Sequence, residues 1–266
     1  MTDELTPGYL DPDRPRAERI ADLISRLTLE EKISLMTNES RGVPRLGIPA
    51  YDYWSEALHG VARNGRATVF PQAIGMAATW DPTLLEKIGS AIGDEGRAKY
   101  HAALKRKGFT SIYQGLTFWS PNINIFRDGG RWGRGQETYG EDPYLTGELG
   151  CAFVRGLQGD DPKYLKAAAC AKHYAVHSGP EALRHVFNVS PSKHDLYETY
   201  LPAFKKLVIE ANVEAVMGAY NAVYGVPCNA SEFLLNHTLR EEWGFEGHVV
   251  SDCGAITDIH KNHKYT

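Results

Sequence analysis

His248-Val249-Val250-Ser251-Asp252-Cys253-Gly254 is the stretch on which the reading of the fold turns. A short β-branched run bounded by Gly247 and Gly254 favours a strand, and this one delivers a carboxylate to its own C-terminal end. In parallel α/β folds the groups that do chemistry stand where strands stop and loops begin. Asp252 therefore occupies the position from which a barrel presents a nucleophile. Taken alone, such an acid more often caps a helix or joins an ion pair, so the surrounding text has to decide.

Working backwards, the same device recurs. Short apolar runs lie at Ala215 to Ala219, Ala167 to Ala171 and, with interruptions, Leu116 to Phe126. Runs of this kind, separated by helices of a dozen or more residues, are what a parallel sheet buried on both faces requires. The helix starts are marked: Asp81-Pro82 places an N-cap before a proline at the first helical position, and Leu84, Leu85, Ile88 and Ile92 follow at helical spacing. Asp142-Pro143 and Ser190-Pro191 repeat the pair. Ala17 to Met36 reads as two helical segments split at Thr28, where Thr28-Leu-Glu-Glu31 has capping-box spacing. The expected fold class is α/β, a TIM-like (β/α)8 barrel incomplete at its C-terminus. Residues 1–16, rich in Pro and Asp, read as an arm, and residues 17–266 as one barrel domain with no second domain after it.

Polar groups follow each run. Lys172 and His173 come after the second, Tyr220 and Asn221 after the third and Asp252 after the last, so they converge on one face.

With 266 residues, 42% hydrophobic, 23% charged and a net charge of −4, the composition is that of a soluble globular domain with a sizeable core. The acidic balance argues against a nucleic-acid partner, and no run approaches membrane-span length. The N-terminus carries no basic segment before an apolar one, so a cytoplasmic location is expected. Cys151, Cys170, Cys228 and Cys253 are scattered without CxxC spacing, which points to reduced thiols rather than a zinc knuckle or a disulfide framework. His173 and His177 have the spacing of a zinc pair, but the glutamate an HExxH motif needs is missing, and Gly129-Gly130 and Gly133-Arg134-Gly135 match no phosphate loop. No metal and no cofactor are expected.

The stretch from Phe126 to Tyr144 packs three arginines and four acids around glycine turns. Joined in this order to Lys172-His173-Tyr174, to Val216-Met-Gly-Ala-Tyr-Asn221 and to Ser251-Asp-Cys-Gly254, it resembles glycoside hydrolase family 3 from about residue 17 onward. The resemblance implies a retaining, exo-acting β-glycosidase that removes one sugar from a non-reducing end of a small β-linked oligosaccharide or glycoside. By that likeness Asp252 is the catalytic nucleophile. Arg134, Lys172 and His173 clamp the sugar hydroxyls, Tyr220 lies beside the nucleophile, and Glu56, in the Trp54-Ser-Glu-Ala-Leu-His-Gly60 loop, reaches the far side of the ring.

These residue types suit the chemistry. A carboxylate stabilises an oxocarbenium-like transition state and then bonds to it, and charge-assisted hydrogen bonds to hydroxyls are the stronger kind. Arg131 is expected instead in a buried ion-pair network with Glu137, Glu141 and Asp142. Met217, Trp54, Trp119 and Trp132 are expected as packing residues.

Family members usually bring the proton-donating acid from a second domain. The expectation is therefore of a chain cut soon after the nucleophile, poorly stable alone or completed by a second polypeptide that closes the barrel and supplies the acid/base. The alternative is a catalytically incomplete, sugar-binding fragment. Cys253 and Glu56 stand where many glucosidase relatives carry Trp and Asp, as in the β-xylosidase branch, so xylose is favoured over glucose.

Overall fold

A computed structural model describes residues 7–126, 131–177 and 179–266. The described part of the N-terminal arm folds back onto the first helix: Tyr9 takes the Asp22 carboxylate on its backbone N–H and donates its hydroxyl to the Leu46 carbonyl. Helices α1 (Arg16–Arg26) and α2 (Leu29–Ser34) are split at Thr28. There Thr28 Oγ1 accepts from Glu31 N at 3.2 Å and Glu31 returns its carboxylate to Thr28 N at 2.9 Å, a reciprocal cap. Strands β1 (Glu39–Ser40) and β2 (Tyr51–Asp52) form a small antiparallel pair.

From there the chain alternates. Helices α3 (Ala73–Ala77) and α4 (Pro82–Lys107) lead to β3 (Thr117–Phe118), and α5 (Pro143–Gln158) leads to β4 (Ala168–Tyr174). A compound helix follows, made of α6 (Lys193–Asp195), a π turn at Leu196–Tyr200 and α7 (Pro202–Ala211); before it comes β5 (Asn188–Val189), and after it β6 (Ala215–Gly218). The hairpin of β7 (Ala222–Val223) and β8 (Val226–Pro227), the π-helical segment Phe233–Glu242, β9 (His248–Ser251) and α8 (Ala255–Lys261) complete the order.

The main sheet is β3–β4–β6–β9, parallel throughout, its strands in chain order, and Ser55 adds a parallel bridge to Phe118 on the outer side of β3. A doubly wound sheet reverses its strand order at a switch point. Here each crossover moves one strand further in the same direction, as successive units of a barrel do. β5, β7 and β8 form a separate three-stranded patch.

Side-chain alternation splits the core into two. On the outer face, Ala171, Val216 and partly buried Val249 pack against helix residues including Leu149, Phe153, Leu157, Phe204 and Leu207. On the inner face, Trp119, Cys170, Ala215 and Met217 cluster with Trp54 and Val250. Each fully buried aliphatic or aromatic side chain contributes roughly 1.5–3 kcal/mol. Helices α4 and α5 approach until their backbones touch, because Gly89 and Gly156 leave out the β-carbon: one on Gly156 would land on the Glu86 carbonyl.

Two sequence expectations need adjusting. The Ser190-Pro191 pair does not start a helix: Ser192 is the cap, its Oγ accepting from Asp195 N at 3.0 Å, and Pro191 merely precedes it. The run Leu116 to Phe126 is strand only at Thr117–Phe118 and resumes as a single bridge from Asn122 to Lys172. Pro121 lies between and has no N–H to donate. Among the described residues no helix is long and apolar enough to cross a membrane.

Candidate active site

A cleft of about 460 Å³ opens at the C-terminal ends of the parallel strands. Its lining includes Glu56, Arg134, Lys172, His173, Tyr220 and Asp252, all six residues singled out from the sequence, together with Trp54, Trp119, Glu137, Arg184, Met217 and Cys253.

Asp252 follows β9 directly. Its N–H reaches across to the Gly218 carbonyl of β6 at 3.1 Å, and its own carbonyl accepts from Ala255 N as α8 begins. Gly254, at φ 75°, makes the turn between them. Asp252 is 6% exposed. Oδ1 accepts from Cys253 N at 2.7 Å, whereas Oδ2 is buried with no hydrogen-bond partner. An unpartnered buried carboxylate oxygen is costly unless a ligand is to use it.

Lys172 and His173 are consecutive residues of β4, and in a regular strand they would face opposite sides. The pairing of β4 with β6 shifts register between Lys172 and Tyr174, and this bulge turns both side chains into the cleft. Lys172 Nζ lies 3.4 Å from Glu56 Oε2, with the lysine almost fully buried. Trp54 Nε1 holds the other oxygen, Glu56 Oε1, at 3.0 Å. The Trp54 ring is itself stacked on Trp119 at 5.0 Å. Glu56 follows Ser55, whose carbonyl accepts from Trp119 N at 2.8 Å, so it too stands where a strand-like pairing ends.

Arg134 enters from the loop ahead of α5. Nε and Nη2 grip Glu137 Oε2 at 2.9 and 2.6 Å, and Nη1 points to His173 Nε2 at 3.2 Å. Burial works against its charge, but the Glu137 carboxylate, with Asp252 and Glu56 further off, outweighs it and holds the guanidinium above its ordinary value. Of the network expected of Arg131, the Glu137 pairing is made by Arg134, and Arg131 itself is exposed rather than buried. Its backbone carbonyl accepts from Glu181 N at 3.2 Å. Residues 127–130 of the same glycine-rich stretch lie outside the described residues.

His173 is 1% exposed. Burial first, then the charges of His177, Arg134, Lys172 and Arg184, push its imidazole well below the usual range, so the ring is neutral. Its contact with Asp252 Oδ2 at 3.6 Å is therefore not an ion pair. Tyr220 donates its hydroxyl to the Cys253 carbonyl at 3.0 Å, and burial beside the Asp252 charge holds the phenol protonated. Burial, again with Asp252 nearby, pushes the Cys253 thiol up to about 11, which keeps it protonated too. Asp252 thus stands beside the protonated Tyr220 and Cys253, with the Arg134 guanidinium within electrostatic reach.

Other lining residues carry no functional signal in the sequence. Trp54, Trp119 and Met217 pack, as expected, but on the inner wall of the cleft. Arg184 carried no local signature: its guanidinium lies over the Tyr220 ring at 5.6 Å, a contact made through the fold rather than along the chain. No group of three or more His, Cys, Asp or Glu among the described residues is arranged to hold a metal ion.

Comparison with known proteins agrees with this architecture. The family model described as glycosyl hydrolase family 3 N terminal domain matches residues 20–266. A xylan 1,4-beta-xylosidase of Xylanibacter ruminicola is 54% identical over 97% of this chain and 30% of its own length. A probable beta-D-xylosidase 7 of Arabidopsis thaliana is 45% identical over 95% of this chain and 34% of its own. Among solved structures, a GH3 exo-beta-xylosidase (XlnD) in complex with a xylobiose aziridine activity-based probe superimposes with a TM-score of 0.86, at 37% identity, over 98% of this chain and 34% of that one. Beta-glucosidase 3B from Thermotoga neapolitana in complex with glucose gives 0.71 at 32% identity, over 88% and 33%. The chain spans about a third of the length of these relatives.

Proposed function

The chain belongs to glycosyl hydrolase family 3, and on that premise we propose that it is the nucleophile-bearing part of a retaining, exo-acting β-glycosidase, a β-xylosidase in preference to a β-glucosidase. The observation that carries the proposal is Asp252 Oδ2, buried and without a partner in a cleft walled by Arg134, Lys172, His173 and Tyr220.

In this reading Oδ2 attacks the anomeric carbon. The bond from that carbon to the glycosidic oxygen breaks, the leaving oxygen takes a proton from an acid, and water later hydrolyses the glycosyl–Asp252 ester with the same group acting as base. The Cys253 N–H on Oδ1 fixes the carboxylate plane and leaves the second oxygen free. Lys172 and Arg134 are donors to the sugar hydroxyls and Glu56 an acceptor. Glu56 and Glu137 are the other carboxylates among the described lining residues, and both are already held, by Lys172 with Trp54 and by Arg134. The proton donor in this proposal therefore comes from outside that lining, from further sequence or a second chain.

The preference for a pentose rests on Glu56. With both oxygens gripped, its side chain does not swing aside for the hydroxymethyl group by which glucose exceeds xylose. A methylene-sized difference in such a pocket is worth about 1–3 kcal/mol, and the xylosidase names of the similar proteins agree with it.

Release of nitrophenol from an aryl β-xyloside, faster than from the glucoside, together with a 2-fluoroxylosyl label recovered on the Asp252 peptide, is the expected result. The engagement of Glu56 and Glu137 also supports the second reading, a cleft that binds sugar without turning it over. A folded sample that binds xylose yet releases no nitrophenol and takes no label would favour that reading.

A further inference from the structure

We propose that Asn124 is a positioning residue: its side-chain amide locks His173 as the Nδ1–H tautomer, so that the His173 Nε2 lone pair and Asp252 Oδ2 face the cleft side by side and neither is consumed by the other. This deepens the glycosidase reading and rests on it for its catalytic consequence, though not for its geometry.

Asn124 is 2% exposed and sits beside the β4 bulge. Its amide orientation is fixed by two backbone partners whose roles are unambiguous. Oδ1 accepts from His173 N at 2.8 Å and Nδ2 donates to the His173 carbonyl at 2.8 Å. The same Oδ1 lies 2.9 Å from His173 Nδ1. An amide oxygen only accepts, so Nδ1 carries the proton and Nε2 is left with a lone pair. The far side of the ring agrees: Arg134 Nη1, an obligatory donor, points to Nε2 at 3.2 Å.

The alternative tautomer would put a proton on Nε2, 3.6 Å from Asp252 Oδ2. It would set two donors face to face at Arg134 and draw the free oxygen of the nucleophile into a hydrogen bond. An imidazolium would do so more strongly. The charged groups around the ring are the cations Arg134, Lys172 and Arg184 and the Asp252 carboxylate, with Glu137 and Glu56 paired to Arg134 and Lys172, and the neutral His177 ring packs beside it. Burial first, and then the nearest cations, favour a neutral ring. Asn124 supplies what charge alone does not, the choice of which nitrogen is protonated.

Two measurements test this. Imidazole ¹⁵N spectra of the histidine-labelled protein, with the His173 signals assigned by their loss in His173→Gln, should show a neutral Nδ1–H ring from about pH 5 to 8. An Nε2–H tautomer, or an imidazolium across that range, would overturn the proposal whether or not the protein hydrolyses glycosides. The second compares Asn124→Asp with the parent in the pH dependence of aryl xyloside kcat/KM. Aspartate keeps the acceptor but adds a charge that favours the imidazolium. Activity should fall about 10- to 100-fold at low and neutral pH and recover as rising pH deprotonates the ring. A uniform loss at every pH with an unaltered tautomer would assign Asn124 a structural role alone. If the parent hydrolyses no xyloside, the glycosidase reading fails and the spectra still decide the tautomer.

Discussion

Glu56 shows what the site asks of a single residue. One carboxylate oxygen accepts from Trp54 and the other faces Lys172, so its reach is set by two side chains drawn from two parts of the chain. Glu56→Asp shortens that reach by one methylene and should loosen both grips. The xyloside-to-glucoside ratio of kcat/KM is expected to fall by about tenfold, and an unchanged ratio would detach Glu56 from sugar-size selection. Tyr220→Phe makes a different point. It strips a donor from the Cys253 carbonyl beside the nucleophile, so a loss of about 1 kcal/mol in unfolding free energy is expected, accompanied by a drop in kcat rather than a rise in KM. The residues that carry formal charge or a motif, Glu56, Arg134, Lys172, His173, Tyr220 and Asp252, could be picked from the sequence and meet in one cleft. Asn124 could not. Its role exists only in its contact with a residue 49 positions away, and nothing local to Asn122-Ile-Asn124 distinguishes it from a turn.

Among the elements, the helix starts were legible because caps are local chemistry. Thr28 with Glu31, Asp81 with Leu84 and Asp142 with Leu145 all make the side-chain-to-amide bonds their spacing implies. The bulge of β4 was not, because register shifts depend on the partner strand. Yet the bulge decides the site, since without it Lys172 and His173 would point to opposite faces. The contact of α4 with α5 is another feature set by the partner. Gly156 lies against the Glu86 carbonyl and Gly89 against the Phe153 carbonyl, so the two helices can close on one another only where neither has a side chain. Gly156→Ala would force the helices apart, and α5 carries Leu149, Phe153 and Leu157 into the outer core. A destabilisation of about 1–3 kcal/mol is expected from such overpacking, read as a lower urea midpoint with little change in slope. A midpoint equal to the parent's would mean that α4 and α5 pack less closely than described.

For the molecule as a whole, burying the site among cations stores a pH dependence. His177, 4% exposed, is held down to about 3 from its ordinary 6.5, by burial first and then by Arg134, while its Asn221 hydrogen bond resists. His173 is pushed in the same direction, and His248 is lowered by burial and Arg240. Between about pH 6.5 and the folded values, the unfolded chain binds protons that the folded chain refuses. Stability must therefore rise with pH through that window and fall as pH drops. Each such histidine contributes up to about 1.4 kcal/mol per pH unit. Glu214, raised by burial, acts in the opposite sense but only near its own range, above 4.5. Urea unfolding at pH 7 and pH 5 should therefore show a marked loss at the lower value. His177→Gln, which removes one titrating ring while keeping an amide next to Asn221, should flatten the slope by about one proton's worth. A variant as steep as the parent would show that His177 takes up its proton without unfolding. It would also imply that the neutral, lone-pair-bearing ring proposed for the neighbouring His173, at 4.9 Å, is less well protected from charge than its burial indicates.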